Sequence, residues 1–292
     1  MDSLLEPEDS LERARLLRAP WGAPGRAATL GAVAAACKLV LGGLNRVEVA
    51  NGGAFRAAVL VRPPGEGLIT VSNHTSTLDD PALLCALLPW RFFATEAAHG
   101  RVRWALCARE LCYANPFLAA FFASGKTLPV ERGAGVGQPV MRVAAGEVAR
   151  GGWLHLFPEG RVGYSGALGP LRWGVGKVVC DAALARGGAP PTVLPFYHSG
   201  MGGVMPRRAR VPRAGRRVDI VVGEPVALEP ALIARCGAAD EAGRCAAWRD
   251  IAERVGDALR ELEARAPPNV DQTAARDEGA MPSGDVGGAA AA

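Results

Sequence analysis

Short apolar runs alternate with longer amphipathic stretches along most of the chain. Runs of four to eight apolar residues between Gly, Pro or polar residues indicate strands, and apolar positions spaced by three and four indicate helices. Strands are predicted at 47–50, 57–62, 68–72, 91–95, 126–130, 153–157, 192–197 and 218–223. Helices are predicted near 81–88, 103–111, 139–150, 173–186 and 240–264. This alternation predicts an α/β fold with a mostly parallel central sheet flanked by helices.

An apolar stretch at 27–45 precedes the first strand. Leu30, Val33, Cys37 and Leu41 recur at helical spacing within it, which predicts an amphipathic helix. The stretch also holds a lysine, and a lysine near the centre of a bilayer costs about 2.5–3.5 kcal/mol on insertion scales. A helix that lies in the membrane interface therefore fits best. A packing helix of a soluble protein and a true membrane span stay open as alternatives.

Composition divides the 292 residues into four segments. Residues 1–26 form a polar lead-in, 27–45 the apolar membrane-associating helix, 46–265 the α/β domain and 266–292 a tail. The tail consists of Pro, Gly, Ala and polar residues and is predicted to be disordered. The lead-in holds five acidic residues in its first 12 positions, whereas cleavable targeting peptides are poor in acids. We therefore expect no cleavable presequence.

Charge and cysteine content argue against several classes of protein. The 33 basic residues include only three lysines, and the formal net charge is +4. The arginine excess accompanies an alanine-rich composition and looks like codon bias, so it is weak evidence for nucleic-acid binding. The seven cysteines are odd in number and scattered, and no pair has the C-x2-C spacing of a zinc site. We expect buried thiols, no disulfide framework and no metal.

The apolar strand at 68–72 leads into a histidine, His74. Asp80 suits the N-cap of the following helix and Pro81 its first position. His74 and Asp79 therefore flank a short loop at the carboxyl end of a strand, where α/β sheets carry their sites. Five residues of separation let Asp79 fold back onto Nδ1, which leaves Nε2 as a base near neutral pH. A loop histidine with a capping aspartate is the alternative that the spacing alone leaves open.

Two further strand ends carry charged residues. Arg132 follows the strand at 126–130, and the forked donors of its guanidinium suit a phosphate. The turn after another predicted strand holds Glu159, Gly160 and Arg161, with the glycine shaping the turn. A base, an arginine and a Glu/Arg turn at strand ends would converge on one phosphate-bearing alcohol.

These motifs, taken in order, resemble those of the glycerolipid acyltransferase superfamily over about residues 20–225. The agreement comprises Asn73-His74 through Asp79-Asp80-Pro81, Asn115-Pro116, Phe121-Phe122, Ser124-Gly125-Lys126, Pro129-Val130, Arg132-Gly133, Phe157-Pro158-Glu159-Gly160, Arg172-Trp173-Gly174-Val175-Gly176-Lys177 and His198-Ser199-Gly200-Met201. The histidine motif alone is only moderately specific. The Asp-Asp-Pro, Trp-Gly-x-Gly and His-x-Gly-Met signatures in this order are much more so.

The resemblance implies an acyltransferase with an α/β fold, membrane association and no cofactor or metal. It makes His74 and Asp79 the catalytic pair and places Arg132 and the turn at 159–161 against the acceptor. The motifs agree best with a branch that exchanges acyl chains between phospholipids without CoA and remodels cardiolipin in mitochondria. Phospholipids and lysophospholipids are then the partners. A mitochondrial membrane is the expected location, with the protein peripheral or interfacial.

Two other enzyme classes fail on their motifs. Residues 124–127 match the end of a P-loop, but the required first glycine falls on Ala120. Residues 163–167 fail the last position of the G-x-S-x-G motif of serine hydrolases. Two alternatives stay open: an acyl-CoA-dependent lysophospholipid acyltransferase with the same base, and a non-catalytic membrane-surface scaffold on the same fold.

The stretch 207–217 is rich in arginine and lies between two predicted strands. Its proline and glycine residues predict a loop. This loop is either a solvated connector or a contact with anionic headgroups beside the 27–45 helix. The candidate headgroup contacts are Arg207, Arg208, Arg210, Arg213 and, on the helix, Lys38.

Overall fold

The computed structural model describes residues 7–97, 101–164 and 166–268, and in this part of the chain it contains a seven-stranded sheet. The strands are β1 (Arg46–Ala50), β2 (Leu68–Val71), β3 (Trp104–Ala108), β4 (Thr127–Val130), β5 (Trp153–Leu156), β6 (Thr192–Ser199) and β7 (Arg217–Val222). Their order is β1-β7-β6-β2-β5-β3-β4. Only the β6–β7 pair is antiparallel within the described sheet. The predicted α/β fold with a mostly parallel sheet is confirmed.

Helices cover both faces of this sheet. They are α1 (Pro7–Leu16), α2 (Gly22–Lys38), α3 (Gly52–Leu60), α4 (Asp79–Leu87), α5 (Trp90–Thr95), α6 (Arg109–Cys112), α7 (Pro116–Ser124), α8 (Pro139–Ala149), α9 (Gly174–Ala185), α10 (Met201–Val204), α11 (Pro230–Ala234) and α12 (Glu241–Arg265). A π-helical turn, Leu39–Gly43, continues α2. Residues 1–6 of the predicted lead-in and 269–292 of the predicted disordered tail lie outside the described residues.

Each face of the sheet has its own hydrophobic core. Ile69 and Val71 of β2 pack in the core formed with α8, α9 and α12, whereas Leu68 packs in the core formed with α2, α3, α4 and α5. Successive residues of a strand point to opposite faces, so β2 is buried on both sides, as is typical of a central parallel strand. The carboxyl end of β2 is thereby held between β5 and β6 in the middle of the sheet.

Two predicted strands are helices in the structure. The run at 57–62 lies mostly in α3, where Phe55 and Val59 are buried four residues apart. The run at 91–95 lies in α5, and its Phe92 and Phe93 are both buried. These apolar runs are too short for periodicity to separate a strand from a helix, because each can be buried either way.

The prediction of a helix near 103–111 is also wrong. Residues Trp104–Ala108 form β3, and the helical turn α6 begins only at Arg109. The strand contains two alanines and a leucine, which favour helices. It is extended because it pairs with β5 on one side and β4 on the other, and this tertiary pairing outweighs the local preference.

Two disulfides correct the expectation of unpaired thiols. Cys107–Cys112 joins β3 to α6, and Cys180–Cys236 joins α9 to the 3-10 turn after α11. The Cα–Cα distances are 6.2 Å and 5.2 Å, within the range that a disulfide spans. Scattered cysteines in apolar segments carry no signal about which segments meet in the fold, so the sequence does not reveal these pairs.

The helix formed by α2 and its π-helical turn, Gly22–Gly43, begins five residues before the predicted start. By length and composition it is the one helix in the described ranges that could cross a membrane. Leu30, Ala34, Cys37 and Leu41 are buried in the core shared with α4 and α5. The opposite side stays exposed. The helix therefore combines a packing face with an outer face that is a candidate for membrane association.

Candidate active site

Three polar residues lie at the same level along three neighbouring strands, two of them just past the strand ends. Val71 of β2 is the register partner of Leu156 in β5 and of Pro195 in β6. His74, Glu159 and His198 each lie three residues beyond one of these register partners in the sequence. The carboxyl ends of parallel strands meet at one edge of the sheet, so the register brings these residues together there.

His74 and Asp79 form the pair that their spacing predicts. The imidazole Nδ1 lies 3.0 Å from Asp79 Oδ2. Asp79 is the first residue of α4 and is fully buried, whereas the side chain of His74 is 17% exposed. The acid is therefore hidden beneath the base, and the base remains accessible.

The carboxylate of Asp79 is fixed by more than the imidazole. Its Oδ2 also accepts the backbone N–H of Thr75 at 2.6 Å and of Ser76 at 2.8 Å. His198 Nε2 lies 3.5 Å from the same oxygen. Four nitrogen atoms thus surround one oxygen, and two of them belong to the backbone of the loop between the base and its acid.

These contacts determine the charge of Asp79 and the tautomer of His74. Burial alone would raise the pKa of Asp79, but His198 and His74 outweigh it and hold that pKa below its ordinary value. An ionised carboxylate can only accept hydrogen bonds, so Nδ1 of His74 must carry the proton. Nε2 then keeps its lone pair and can act as a base.

The predicted N-cap at Asp80 is wrong. The helix begins at Asp79, and Leu78 occupies the N-cap position without a side-chain hydrogen bond. The carboxylate of Asp80 instead pairs with the guanidinium of Arg103, with Nε 2.8 Å from Oδ1. Arg103 is itself buried, and a buried guanidinium needs a partner, which explains why Asp80 turns away from the helix end.

Glu159 supports the loop that carries the base. The side chain is almost fully buried. Its Oε1 accepts the backbone N–H of His74 at 2.8 Å, and its Oε2 accepts that of Gly169 at 2.9 Å. The sequence suggested contact with an acceptor, whereas in the structure both oxygens hold backbone groups beside the base.

The ring of Phe157 lies flat against the imidazole of His74. The two ring centroids are 3.8 Å apart and the planes differ by 11°. Behind Phe157, His155 meets the same ring edge-on with centroids 4.7 Å apart. Burial lowers the pKa of His155 to about 4, so it is neutral and leaves His74 as the accessible base. Sequence reasoning missed Phe157, although the residue belongs to the quoted Phe-Pro-Glu-Gly motif.

Asn73 and His198 hold β2 and β6 together beyond their strand ladder. The Asn73 amide donates to the backbone carbonyl of His198, and its carbonyl oxygen accepts the backbone N–H of His198, both at 2.9 Å. His198 Nε2 lies 3.0 Å from the backbone oxygen of Asn73. His198 is fully buried, so it supports the loop of His74 and does not itself face a substrate.

Arg132 lies on the same sheet edge but far from the base. It follows β4, the edge strand, three strand spacings from β2 and hence about 14 Å away. Its exposed guanidinium pairs with Glu110, with Nη1 3.0 Å from Oε1. The structure therefore does not bring Arg132 into contact with the His74 cluster, defined as His74, Asp79, Phe157, Glu159 and His198.

Gly160 and Arg161 form the turn after β5, and both are exposed. Gly160 has a φ of 65°, which favours glycine, and a Cβ there would lie 2.6 Å from Cδ of Arg172. Arg172 is held beside this turn because its backbone N–H donates to the carbonyl of Pro158 at 2.8 Å. Two exposed arginines therefore lie near the base, Arg161 within this turn and Arg172 beside it.

The arginine loop, residues 205–216, connects α10 to β7 and contacts two parts of the molecule. Ser76 Oγ, in the loop between the base and its acid, lies 3.4 Å from the carbonyl oxygen of Met205. At the other end, Asn45 Nδ2 donates to the carbonyl of Arg213 at 3.0 Å, and the N–H of Gly215 donates to the carbonyl of Leu44 at 2.8 Å. The loop therefore extends from the candidate site to the end of the apolar helix.

The residues predicted to contact headgroups all lie in the arginine loop or on α2. The exposed arginines of the loop are Arg207, Arg208, Arg210 and Arg213. Arg207 lies over the half-exposed ring of Tyr164, with its guanidinium carbon 5.1 Å from the ring centroid. Lys38 is half-buried in the last turn of α2.

Comparison with known proteins identifies the class. A family model described as Acyltransferase matches residues 49–199, which is half of the chain and includes every residue of the His74 cluster. An Arabidopsis thaliana N-acylphosphatidylethanolamine synthase is 38% identical over 202 residues, which cover 67% of this chain and 68% of that protein. The chain belongs to the acyltransferase family, and the sequence resemblance to acyltransferases is confirmed.

The particular relatives include tafazzins. The Drosophila melanogaster tafazzin is 34% identical over 200 residues, covering 68% of this chain and 50% of that protein. The Dictyostelium discoideum taffazin is 38% identical over 160 residues, covering 54% of each chain. This chain therefore spans about half the length of these two relatives.

Proposed function

We propose that this acyltransferase moves a fatty acyl group from a phospholipid directly to a lysophospholipid, with His74 as the base. One observation carries the proposal. An accessible imidazole is bound at Nδ1 to a buried, ionised aspartate, and none of the described residues hydrogen-bonds its Nε2. No serine or cysteine nucleophile is needed, because the lysophospholipid supplies the hydroxyl.

The reaction then proceeds through a single tetrahedral intermediate. Nε2 of His74 removes the proton from the free glycerol hydroxyl as that oxygen attacks the acyl carbonyl of the donor ester. Asp79 stabilises the imidazolium that forms. The intermediate collapses, the carbon–oxygen bond to the donor glycerol breaks, and the leaving oxygen takes the proton from His74. One ester forms as one breaks, so no thioester is required to drive the exchange.

The similarity to tafazzins supports a phospholipid as the donor and cardiolipin as the lipid remodelled, at a mitochondrial membrane. The exposed arginines of the arginine loop fit this choice, since cardiolipin headgroups are anionic. Acyl-CoA is the alternative donor, because it would use the same base. The intact and clamped His74–Asp79 pair disfavours a non-catalytic scaffold.

A second candidate is transfer of the acyl group to the amine of phosphatidylethanolamine. The observation that favours it is the Arabidopsis relative, whose name states N-acylphosphatidylethanolamine synthesis and of which this chain covers 68%. An amine nucleophile must lose a proton as it attacks, so the same base would serve. The two candidates differ in the acceptor atom and in the stability of the product, because an amide resists mild alkali and an ester does not.

The deciding experiment crosses two donors with three acceptors. Purified protein is given phosphatidylcholine labelled in one acyl chain, or labelled acyl-CoA, with monolysocardiolipin, lysophosphatidylcholine or phosphatidylethanolamine. We expect label to pass from phosphatidylcholine to a lysophospholipid without CoA, with monolysocardiolipin preferred, in an alkali-labile product. Transfer only from acyl-CoA, or label in an alkali-stable product of phosphatidylethanolamine, would replace this proposal by the corresponding alternative.

A further inference from the structure

Helix α7 is partly exposed and carries no charged residue. Its nine residues are Pro, Phe, Leu, Ala and a single serine. Pro116 and Phe117 are exposed, Ser124 is buried and the six residues between them are half-buried. Phe117 is 69% exposed. A helix that faces water normally presents polar side chains, as α12 does with Glu253, Arg254 and Asp257 on its outer side. The outer face of α7 therefore lacks the side chains that water favours.

Neighbouring residues enlarge this face into an apolar patch. The ring centroid of Trp21, just before α2, lies 6.2 Å from that of Phe117. Leu111 in α6 is 57% exposed, and Trp21 is 43% exposed. The patch is defined as Trp21, Leu111 and α7. It lies beside α2, on which Ala28, Ala32 and Ala35 are exposed.

We infer that this patch enters the interfacial layer of a lipid bilayer and forms a second membrane contact beside α2. The inference rests on the proposed function in one respect, since a lipid substrate brings the protein to a membrane. The neighbouring α2, whose exposed residues at 28, 32 and 35 are alanines, favours a bilayer over another protein. Nine helical residues extend about 13–14 Å, which is too short to span a bilayer but suits a helix lying at its surface.

The aromatic residues and the nearby charge fit the same occupant. Tryptophan and other aromatic rings are enriched at membrane–water interfaces. Arg18 is exposed. It lies close to the patch, since Arg26 Nη2 donates both to the carbonyl of Arg18 and to that of Ala123 in α7. An apolar contact of this kind binds neutral lipid and resists salt, unlike a contact made through the arginine loop.

The test measures partition of the 292-residue protein into vesicles of pure phosphatidylcholine at high salt. We expect Phe117→Ser to weaken partition on the order of tenfold, because an apolar ring no longer leaves water. Phe117→Leu should keep most of the binding. The matched control is Leu184→Ser on α9, which packs in the core on the other face of the sheet and has an exposed leucine, and it should bind like the parent.

Two results would overturn the inference. One is equal partition by the parent and Phe117→Ser. The other is a molar mass in light scattering that differs between the parent and Phe117→Ser while the two bind vesicles equally. That result would assign the patch to contact with a second copy of this chain. Acyl transfer is measured separately with detergent-dispersed lipids, where no bilayer is needed. If the parent transferred no acyl group in that assay, the proposed function would be rejected, whereas the partition result would still hold.

Discussion

The carboxylate of Glu159 accepts the backbone N–H of His74 at 2.8 Å and thereby fixes the main chain of the base from the neighbouring strand. Its other oxygen accepts the N–H of Gly169 at 2.9 Å. Glu159→Gln offers one acceptor and one donor in place of two acceptors, so one buried N–H loses its partner. Such a loss costs about 1–3 kcal/mol.

We expect Glu159→Gln to lower kcat for acyl transfer roughly 10–100-fold with little change in the KM of the acceptor, because the base is displaced while acceptor contacts remain. Steady-state kinetics over a range of lysophospholipid concentrations measures both constants. Glu131→Gln, an exposed glutamate on the same sheet edge, is the control. A higher KM with an unchanged kcat would instead show that Glu159 binds the acceptor.

The depressed pKa of Asp79 predicts a pH dependence of stability. Because its folded-state pKa lies below its unfolded value, the ionised group stabilises the fold at pH values above the unfolded pKa, about 3.9. That contribution is lost as the pH falls through the folded pKa. The gap in unfolding free energy between the parent and Asp79→Asn should therefore shrink as the pH falls below about pH 4. Urea titrations at each pH measure it, and a constant gap throughout would refute this charge assignment.

Arg132 tests whether an acceptor reaches the edge strand. If its guanidinium grips a phosphate, Arg132→Lys should raise the KM of the lysophospholipid several-fold with a similar kcat, because a lysine lacks the bidentate fork. Arg109→Lys is the matched control, since Arg109 forms the same kind of exposed pair with Glu131. If Arg132→Lys behaved like this control at low acceptor concentration, Arg132 would be assigned only to its ion pair with Glu110.

The arginine loop predicts a salt-dependent preference for anionic membranes. Replacing Arg207, Arg208 and Arg210 by Gln should weaken binding to cardiolipin-containing vesicles at low salt by roughly fivefold per arginine, since each basic residue contributes about 1 kcal/mol near an anionic surface. Binding to neutral vesicles should not change.

The control for the arginine loop removes the same number of charges from a different surface. Arg235, Arg254 and Arg260 are exposed arginines of the 3-10 turn and α12, and their replacement by Gln lowers the net charge equally. We expect this control to bind anionic vesicles nearly as the parent does. Equal losses in both triple variants would attribute the effect to net charge alone.

The central pair of the site could be predicted because its geometry is local. His74 and Asp79 are five residues apart in a loop between a strand and a helix, so the turn itself brings them together. The role of Glu159 could not be predicted in this way. It depends on the register of two strands 85 residues apart in sequence, which no short-range pattern records. The contact of Phe157 with His74 depends on the same register.

The fold shows the same division between local and long-range information. The alternation of strands and helices gives the correct class, because each long amphipathic helix has its own periodicity. The apolar runs at 57–62 and 91–95 have no such periodicity, and they become helices through packing on the sheet. β3 is likewise extended because it pairs with β4 and β5. The Cys180–Cys236 disulfide joins residues 56 apart in sequence, and Cys107–Cys112 depends on β3 being a strand.

The most direct test of the account is the initial rate of label transfer from phosphatidylcholine to a lysophospholipid, without CoA, by the parent and by His74→Gln. The melting temperature of each protein is measured alongside, so that loss of activity is separated from loss of folding. We predict that His74→Gln melts close to the parent and transfers 10²–10⁴-fold more slowly, roughly the cost of removing a general base. A folded His74→Gln protein with the parental rate would contradict the assignment of His74 as the base.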